Sequence, residues 1–179
     1  MKKYKLGEIA SHITDGEHGS ISDDMQGAYY LLSNKNIVDG NIVITNDDRK
    51  ISQESFLKIN KRTLLDLGDI IISTVGTLGK VAIIKNKPNY DFQRSVGIIK
   101  PNGIVNTEYL YYFLQQPIIQ KKLSYGSTGA IQKCIFIDQL KNFEIEVCSN
   151  FKEQQKIATL LSALDRKIAV NRQINRNLA

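Results

Sequence analysis

Two triplets, Asp48-Arg49-Lys50 and Asp165-Arg166-Lys167, have the acid-x-Lys spacing that some metal-dependent nucleases use. The first falls in a predicted loop and the second in the middle of a predicted helix, and so short a pattern arises often by chance. Other catalytic patterns are missing. Gly79-Lys80 has the form of the end of a phosphate-binding loop, but Thr74 stands where that loop needs its first glycine and Val81 where it needs Ser or Thr. His12 and His18 are the only histidines, and neither has Cys or Glu at ligand spacing. No Gly-x-Ser-x-Gly nucleophile elbow occurs. No metal site and no catalytic residue is predicted.

The polar loops are better equipped. Asn and Gln can pair with adenine, Arg and Lys with guanine or phosphate, and Ser and Thr with either. Three loops carry such residues beside glycines that let backbone N–H groups approach phosphates: Asp15 to Ser20, Thr74 to Lys80, and Gly126 to Lys133. Arg94, next to Gln93, adds a fork-shaped donor. The candidate DNA-contacting residues are Lys80, Arg94, Gln132 and Lys133, followed by His18, Thr77, Ser127 and Thr128. The same turns would also serve as ordinary solvent-facing connections, and composition does not separate the two.

The elements that position these loops are short. Leu6, Ile9 and Ile13 mark one or two helical turns or a bent strand. Ala28 to Leu32 has strand composition, and Asp39-Gly40 between Ile37-Val38 and Ile42-Val43-Ile44 is a hairpin signal. Asn46 to Lys50 reads as a charged loop, and Ser52 caps a short helix through Phe56 and Ile59. Ile70-Ile71-Ile72 is an all-apolar run, which predicts a strand buried on both faces. Val81 to Ile84 returns, Asn86 to Asp91 is a predicted loop, and Ser95 to Lys100 is another strand. Asn106 or Thr107 caps a helix carrying Leu110, Phe113 and Leu114, and Pro117 opens a shorter one. Ile135 to Ile137 and Phe143 to Val147 are predicted as the last strands.

From Asn150 onward the pattern changes. No Gly or Pro interrupts residues 150–179. Ile157, Leu161, Leu164, Ile168, Asn171, Asn175 and Leu178 recur at spacings of four and three, the seam of a coiled coil along one long helix. Asn150 can cap its first turn, with Glu153 reaching back as in a capping box. At 1.5 Å per residue the helix would run roughly 43 Å. Its stripe is too long and narrow for one small domain to cover, so part of it is expected to pack on a second helix; folding back on its own core is the alternative. A buried Asn in a two-helix seam fixes register and partner number. The expected division is residues 1–149 as a globular α+β domain with mixed, curved sheets, and 150–179 as the helix.

Composition bounds the class. With 179 residues, 42% apolar and 23% charged, the chain has room for one ordinary domain plus an appendage. The formal charge is +6, and residues 151–179, with six Lys/Arg against two Asp/Glu, hold +4 of it. Excess positive charge favours a polyanion such as DNA, though a solvated basic helix face explains it nearly as well. Cys134 and Cys148 are too few and isolated for a disulfide framework. Nothing approaches a membrane span, and Met1-Lys2-Lys3 is not followed by an apolar run. A cytoplasmic protein without a membrane partner is expected.

Several segments resemble, in order, the specificity subunits of type I restriction-modification systems. Tyr4-Lys5-Leu6-Gly7-Glu8-Ile9-Ala10 with Asp15-Gly16-Glu17-His18-Gly19 looks like the entry to that family's target recognition domain. Leu67-Gly68-Asp69-Ile70-Ile71-Ile72-Ser73 with Gly76-Thr77-Leu78-Gly79 is similar to its central strand-turn-strand. Tyr109 to Leu114 matches its helix, Gly126 to Gln132 its small-residue loop, and Glu153-Gln154-Gln155-Lys156-Ile157 the opening of its spacer helix. Cys148-Ser149 stands where the family usually has Pro-Pro. The chain holds one recognition domain and one spacer helix where a full subunit has two of each, so it resembles a half-subunit.

The resemblance implies a mixed α+β recognition domain followed by a long helix, and sequence-specific binding of one half of a split double-stranded DNA target. In a complete subunit of that family two such helices pair antiparallel, from which the expectation is that two copies of this chain pair through residues 157–178; the resemblance also implies that the helix docks methyltransferase subunits, with a restriction and translocase subunit joining the complex. It implies no cofactor in this chain, the S-adenosylmethionine being held by the methyltransferase, and no activity of the chain alone. Two rival readings are a metal-dependent nuclease using Asp48 and Lys50, and a coiled-coil assembly protein.

Overall fold

The computed structural model describes residues 1–125 and 134–177, with the backbone of Leu178. The chain opens with strand β1 (Lys2–Lys5), makes one 3-10 turn at Leu6–Glu8 and re-extends as β2 (Ala10–Asp15). Of the two readings of Leu6, Ile9 and Ile13, helical turns or a bent strand, the structure has a strand bent by a single 3-10 turn, with Leu6 and Ile9 buried at the bend. Next come β3 (Tyr29–Leu32), the hairpin β4 (Ile37–Val38) and β5 (Asn41–Ile42), β6 (Lys50–Ile51) and helix α1 (Gln53–Thr63). At the hairpin tip Asp39 has φ 48° and Gly40 φ 75°, the left-handed pair that a two-residue hairpin loop of type I′ requires. Ser52 caps α1, its Oγ accepting Ser55 N–H at 3.2 Å.

The second half runs β7 (Ile70–Ser73), β8 (Val81–Ile83), β9 (Tyr90–Phe92), β10 (Val96–Pro101), α2 (Thr107–Leu114), α3 (Pro117–Tyr125), α4 (Ile137–Lys141), β11 (Glu144–Val147) and the long α5 (Phe151–Leu178). Four antiparallel strands in the order β2-β10-β7-β8 form the central sheet. Both of its faces are covered, which is why β7 reads as an unbroken apolar run. Ile70 and Ile72 pack into one core with Ile99, Leu110 and Leu114, while Ile71 points the other way into a core with Ile98, Leu32 and Phe92. The second face is closed by a mixed sheet, β6-β3-β9, in which β3 and β9 run parallel. β1 pairs with β11, so the domain's first and last strands close on each other.

Three expectations need correction. Residues 86–91 are not all loop: β9 begins at Tyr90. A charged residue at the centre of this strand hides it in the sequence, but Asp91 is fully buried and accepts hydrogen bonds from Thr63 Oγ1 (2.6 Å) and Phe92 N–H (2.8 Å). The charged loop ends early, because Lys50 and Ile51 pair with β3. Ile135 to Ile137 is not a strand. Ile135 is tied to Thr74 by one backbone bond, and Ile137 already starts α4, whose first turn is capped when Gln139 Oε1 accepts Phe136 N–H at 2.9 Å.

Helix α5 starts where its cap was read: Asn150 Oδ1 accepts Lys152 N–H (3.0 Å) and Glu153 N–H (3.3 Å). Glu153 does not close the expected box; its carboxylate takes Lys156 Nζ at 2.8 Å. The root of the helix is locked to the domain. Gln154 is only 2% exposed, its Nε2 donating to Cys148 O (2.6 Å) and its Oε1 accepting Asn106 N–H (2.8 Å), and Ala158 beside it is buried. Further along, the domain lets go. Ile157 (41% exposed), Leu160 (64%), Leu164 (50%) and Ile168 (49%) form an open stripe that Asn171 and Asn175 extend. Leu161 is half-buried on the flank nearer the domain, and the side chain of Leu178 lies outside the described residues.

Candidate nucleic-acid interface

The loop Asp15–Gly19 leaves β2 and is held from several directions. Gly16 passes so close to the β9 backbone that a Cβ there would lie 2.1 Å from Phe92 O, so only glycine fits. Glu17 N–H donates to Phe92 O (2.7 Å), and Arg94 N–H donates to Glu17 O (2.9 Å). From the other side Arg62, in the last turn of α1, donates to Asp15 Oδ1 (3.3 Å), to Thr14 Oγ1 (3.2 Å) and to Gly16 O.

The other loops are chained to this one. Thr74 N–H donates to Ser95 O and its Oγ1 to Arg94 O, which joins the β7–β8 turn to the Gln93–Ser95 turn. Asn34 N–H donates to Ser95 Oγ, and its Nδ2 to Val75 O at 2.6 Å, which brings in the turn at Ser33–Asn36. Ile135 N–H donates to Thr74 O, so residue 134, just after the undescribed segment 126–133, lies beside the same turn. Hydrogen bonds therefore link four loops into one connected set.

The charges on this surface are arranged, not scattered. Asp15 is engaged by Arg62 and by His18 Nε2 at 2.6 Å, and Glu17 Oε1 accepts Gly19 N–H at 2.6 Å. Asp48 is buried below the Ser33–Asn36 turn. Burial opposes its ionisation, but hydrogen bonds from Asn36, Lys35 and Thr45 outweigh that and hold the carboxyl well below the usual carboxylate range. Its Oδ1 lies 2.9 Å from Lys35 Nζ, and its Oδ2 accepts Thr45 N–H at 2.7 Å. Arg94, by contrast, is exposed and has no side-chain partner among the described residues. Asp15 and Asp48 are thus each paired with a basic side chain, while the Arg94 side chain is exposed.

The candidate residues fall into three groups. His18, Thr77 and Arg94 are exposed on the linked loops. Lys80 closes the β7–β8 turn, its N–H on Ser73 Oγ (2.8 Å), and its side chain lines a neighbouring open cleft of about 320 Å³ with Val38, Asp39, Gly79 and Gln120. Ser127, Thr128, Gln132 and Lys133 lie outside the described residues. The sequence reading missed Asn34 and Arg62. Asn34 sits in a turn already rich in hydrogen-bonding side chains, but its link to Val75 spans 41 positions. Arg62 looks like an ordinary basic residue of a helix's last turn.

The nuclease constellation does not assemble. Asp48 is 5% exposed and surrounded by donors, and Asp165 accepts the Tyr112 hydroxyl at 2.8 Å. Among the described residues no group of three or more His, Cys, Asp and Glu side chains is placed to hold a metal ion, and no helix is long and apolar enough to cross a membrane. Cys134 and Cys148 are both free thiols.

Comparison with known proteins adds a lineage to this geometry. The family described as "Type I restriction modification DNA specificity domain" matches residues 1–179. The MjaIX specificity subunit of a type I restriction enzyme from Methanocaldococcus jannaschii is 31% identical over 98% of the chain and 40% of its own length. The EcoBI specificity subunit from Escherichia coli is 29% identical over 88% of the chain and 33% of its own length. The crystal structure of a type I restriction-modification S subunit from M. genitalium superposes with a TM-score of 0.66 at 21% identity, covering 98% of this chain and 42% of that one. The HsdS subunit from Thermoanaerobacter tengcongensis superposes with a TM-score of 0.62 at 17% identity, covering 97% and 39%. The chain spans two-fifths or less of the length of the MjaIX and EcoBI subunits.

Proposed function

Since the chain belongs to the type I restriction modification DNA specificity family, we propose that it is a non-catalytic DNA-reading subunit, bringing the hydrogen-bonded surface of four loops to one half of a split duplex target. The observation that carries this is the chaining of the Asp15–Gly19, Ser33–Asn36, Thr74–Lys80 and Gln93–Ser95 loops by hydrogen bonds, with exposed His18, Thr77 and Arg94 among them. Glycine-bearing turns and amide, hydroxyl and guanidinium side chains suit phosphates and base edges. Lys80, Gln132, Lys133, Ser127 and Thr128 complete the proposed contact set. Arg94 and the lysines supply phosphate contacts, whose loss lowers affinity and the salt slope; the amides and hydroxyls carry sequence preference.

The open stripe Ile157, Leu160, Leu164 and Ile168 supports pairing of two copies through α5, which would present two reading surfaces to an inverted-repeat target. A rod of about 42 Å exceeds one turn of DNA, about 34 Å, as a spacer between half-sites requires. By family, the same helix would dock methyltransferase subunits, which hold the S-adenosylmethionine, with a restriction and translocase subunit joining the complex. Selection of bound sequences from a random pool, with and without the methyltransferase partner, tests the reading: a split, two-part consensus is expected. A gel shift showing no binding of any duplex at low salt would overturn it, and analytical ultracentrifugation showing only monomer at tens of micromolar would overturn the pairing.

A further inference from the structure

Apolar burial holds α5 only at its root. From Ala163 to Asn177 every side chain is exposed. Yet the helix keeps two further contacts with its own domain in that region. Tyr112 of α2 donates its hydroxyl to Asp165 Oδ2 at 2.8 Å, and Arg172 Nη1 lies 3.1 Å from Asp39 Oδ2 at the tip of the β4–β5 hairpin. At 3.6 residues per turn, Gln154, Ala158, Leu161, Asp165 and Arg172 fall within a sector of about 60°. The line from Gln154 to Arg172 is about 27 Å long at 1.5 Å per residue.

We propose that Tyr112, Asp165, Asp39 and Arg172 are positioning residues: together they brace the rod against the recognition domain and fix the angle at which it leaves, and so the gap between the two half-sites the paired subunits read. The hairpin is built for this. Asp39 sits in the left-handed region, which an Asp tolerates well, and its Oδ2 meets Arg172 of the rod. The same hairpin lines the cleft it shares with Lys80 beside the reading surface, and Gly40 O accepts the Tyr111 hydroxyl at 3.4 Å. One small element therefore touches the reading turn, α2 and the rod. Burial first, and then the Asp165 carboxylate, push the Tyr112 phenol above its ordinary value, so it remains a donor throughout the neutral range. A helix fixed only at one end would swing; two contacts on the same face, near its middle and far end, remove that freedom.

The proposal rests on the two-half-site reading, and two measurements keep them apart. The first is the orientation of the rod. Spin labels on Lys87→Cys and Val170→Cys, in a chain carrying Cys134→Ser and Cys148→Ser and mixed with excess unlabelled chain, should give one narrow distance distribution. Tyr112→Phe with Arg172→Ala should broaden it, while Asp165→Asn, which keeps an acceptor for Tyr112, should not. An unchanged distribution in the Tyr112→Phe, Arg172→Ala chain overturns the brace. The second is affinity for duplexes whose half-sites are moved apart or together by one base pair. The preference for the best gap over its neighbours should fall about three- to fivefold in that variant, in line with the size of exposed polar contacts, with the half-site sequence unchanged. Broader distances with an unmoved gap preference overturn the link to spacing. Broader distances in a chain whose wild type shows no two-part target leave the brace standing and overturn the half-site reading.

Discussion

Strand β7 and the far half of α5 are both rich in Ile and Leu, and they use those side chains differently. Ile70, Ile71 and Ile72 are wholly buried between two cores, each held by residues from distant parts of the chain. Leu164, Ile168 and Ile174 are about half exposed among the described residues. Apolar composition alone therefore does not say where the stability lies. In β7 it stabilises the domain; in α5 it leaves a surface whose burial requires something outside this chain's own globule.

Truncating a β7 side chain should have the largest effect on stability. Ile71→Ala removes a side chain packed among Leu32, Ile98 and Phe92, and closely packed cores relax only partly around such a loss. A destabilisation of about 2–5 kcal/mol is expected in urea unfolding. A loss under about 1 kcal/mol would mean that the second face of the central sheet is not the packed core described above.

Gln154 stands at the boundary between the two regions, and its effect should be intermediate. Its amide satisfies Asn106 N–H and Cys148 O at once, tying the start of α2, the exit of β11 and the first turn of α5 into one node. Gln154→Ala leaves a donor and an acceptor without partners, at about 1–3 kcal/mol. Gln154→Glu is the sharper variant: it keeps the acceptor for Asn106 but places an unpaired charge against Cys148 O, and should be at least as harmful at neutral pH. Equal stability of wild type and Gln154→Ala in thermal unfolding would show that the root of the rod is held by packing alone.

These regions also differ in how far the sequence disclosed them. The double-sided burial of β7 was legible because an Ile run bounded by Gly-Asp and Ser-Thr admits few other readings. The start of α5 was legible from Asn150, and its open stripe from the four-and-three spacing. Leu160, more exposed than Ile157, Leu164 or Ile168 of the expected seam, was not, because the seam was drawn through Leu161; only the position of α2 shows which of the two adjacent leucines faces the domain. β9 was hidden by Asp91, since a lone carboxylate argues against a buried strand until Thr63, on another element, is seen to donate to it. Of the candidate site, the loops could be named one by one, but their union could not. It depends on contacts such as Asn34 to Val75 and Arg62 to Asp15, between residues far apart in the chain. Residues 126–133, which carry Ser127, Thr128, Gln132 and Lys133, lie outside the described structure.

Asp48 extends the comparison to charge. Its folded-state pKa is lowered from an ordinary value of 3.8, so the carboxylate contributes stability above that pH and loses it as pH falls through the acid range. Asp91 behaves in the opposite sense: burial raises its pKa despite the donors around it, so protonation there favours the folded state. Asp48→Asn should cost about 1–2 kcal/mol at pH 7, within the range for leaving a buried donor without its acceptor, and should flatten the wild-type loss of stability below about pH 4. Asp91→Asn should leave that acid limb in place. If the Asp48→Asn chain and the wild type lose stability in parallel on acidification, the Lys35, Asn36 and Thr45 contacts are not what hold the Ser33–Asn36 turn.

The smallest expected effect on stability is the most telling about α5. Leu164→Ser changes a side chain that is half exposed and touches no core, so unfolding of the dilute chain should shift by less than about 0.5 kcal/mol. Self-association should respond much more, because a serine in the middle of a paired apolar stripe forfeits burial on both copies at once. Sedimentation over a concentration series would show the dissociation constant rising at least tenfold while the unfolding midpoint stays put. Were Leu164→Ser instead to unfold the chain as readily as Ile71→Ala, that stripe would belong to the globule's own core, and the contrast between a buried strand and an open rod would disappear. Ile168→Ser, one turn further out, separates the remaining cases: a matching loss of association with unchanged stability places the contact along the stripe, not at a single leucine.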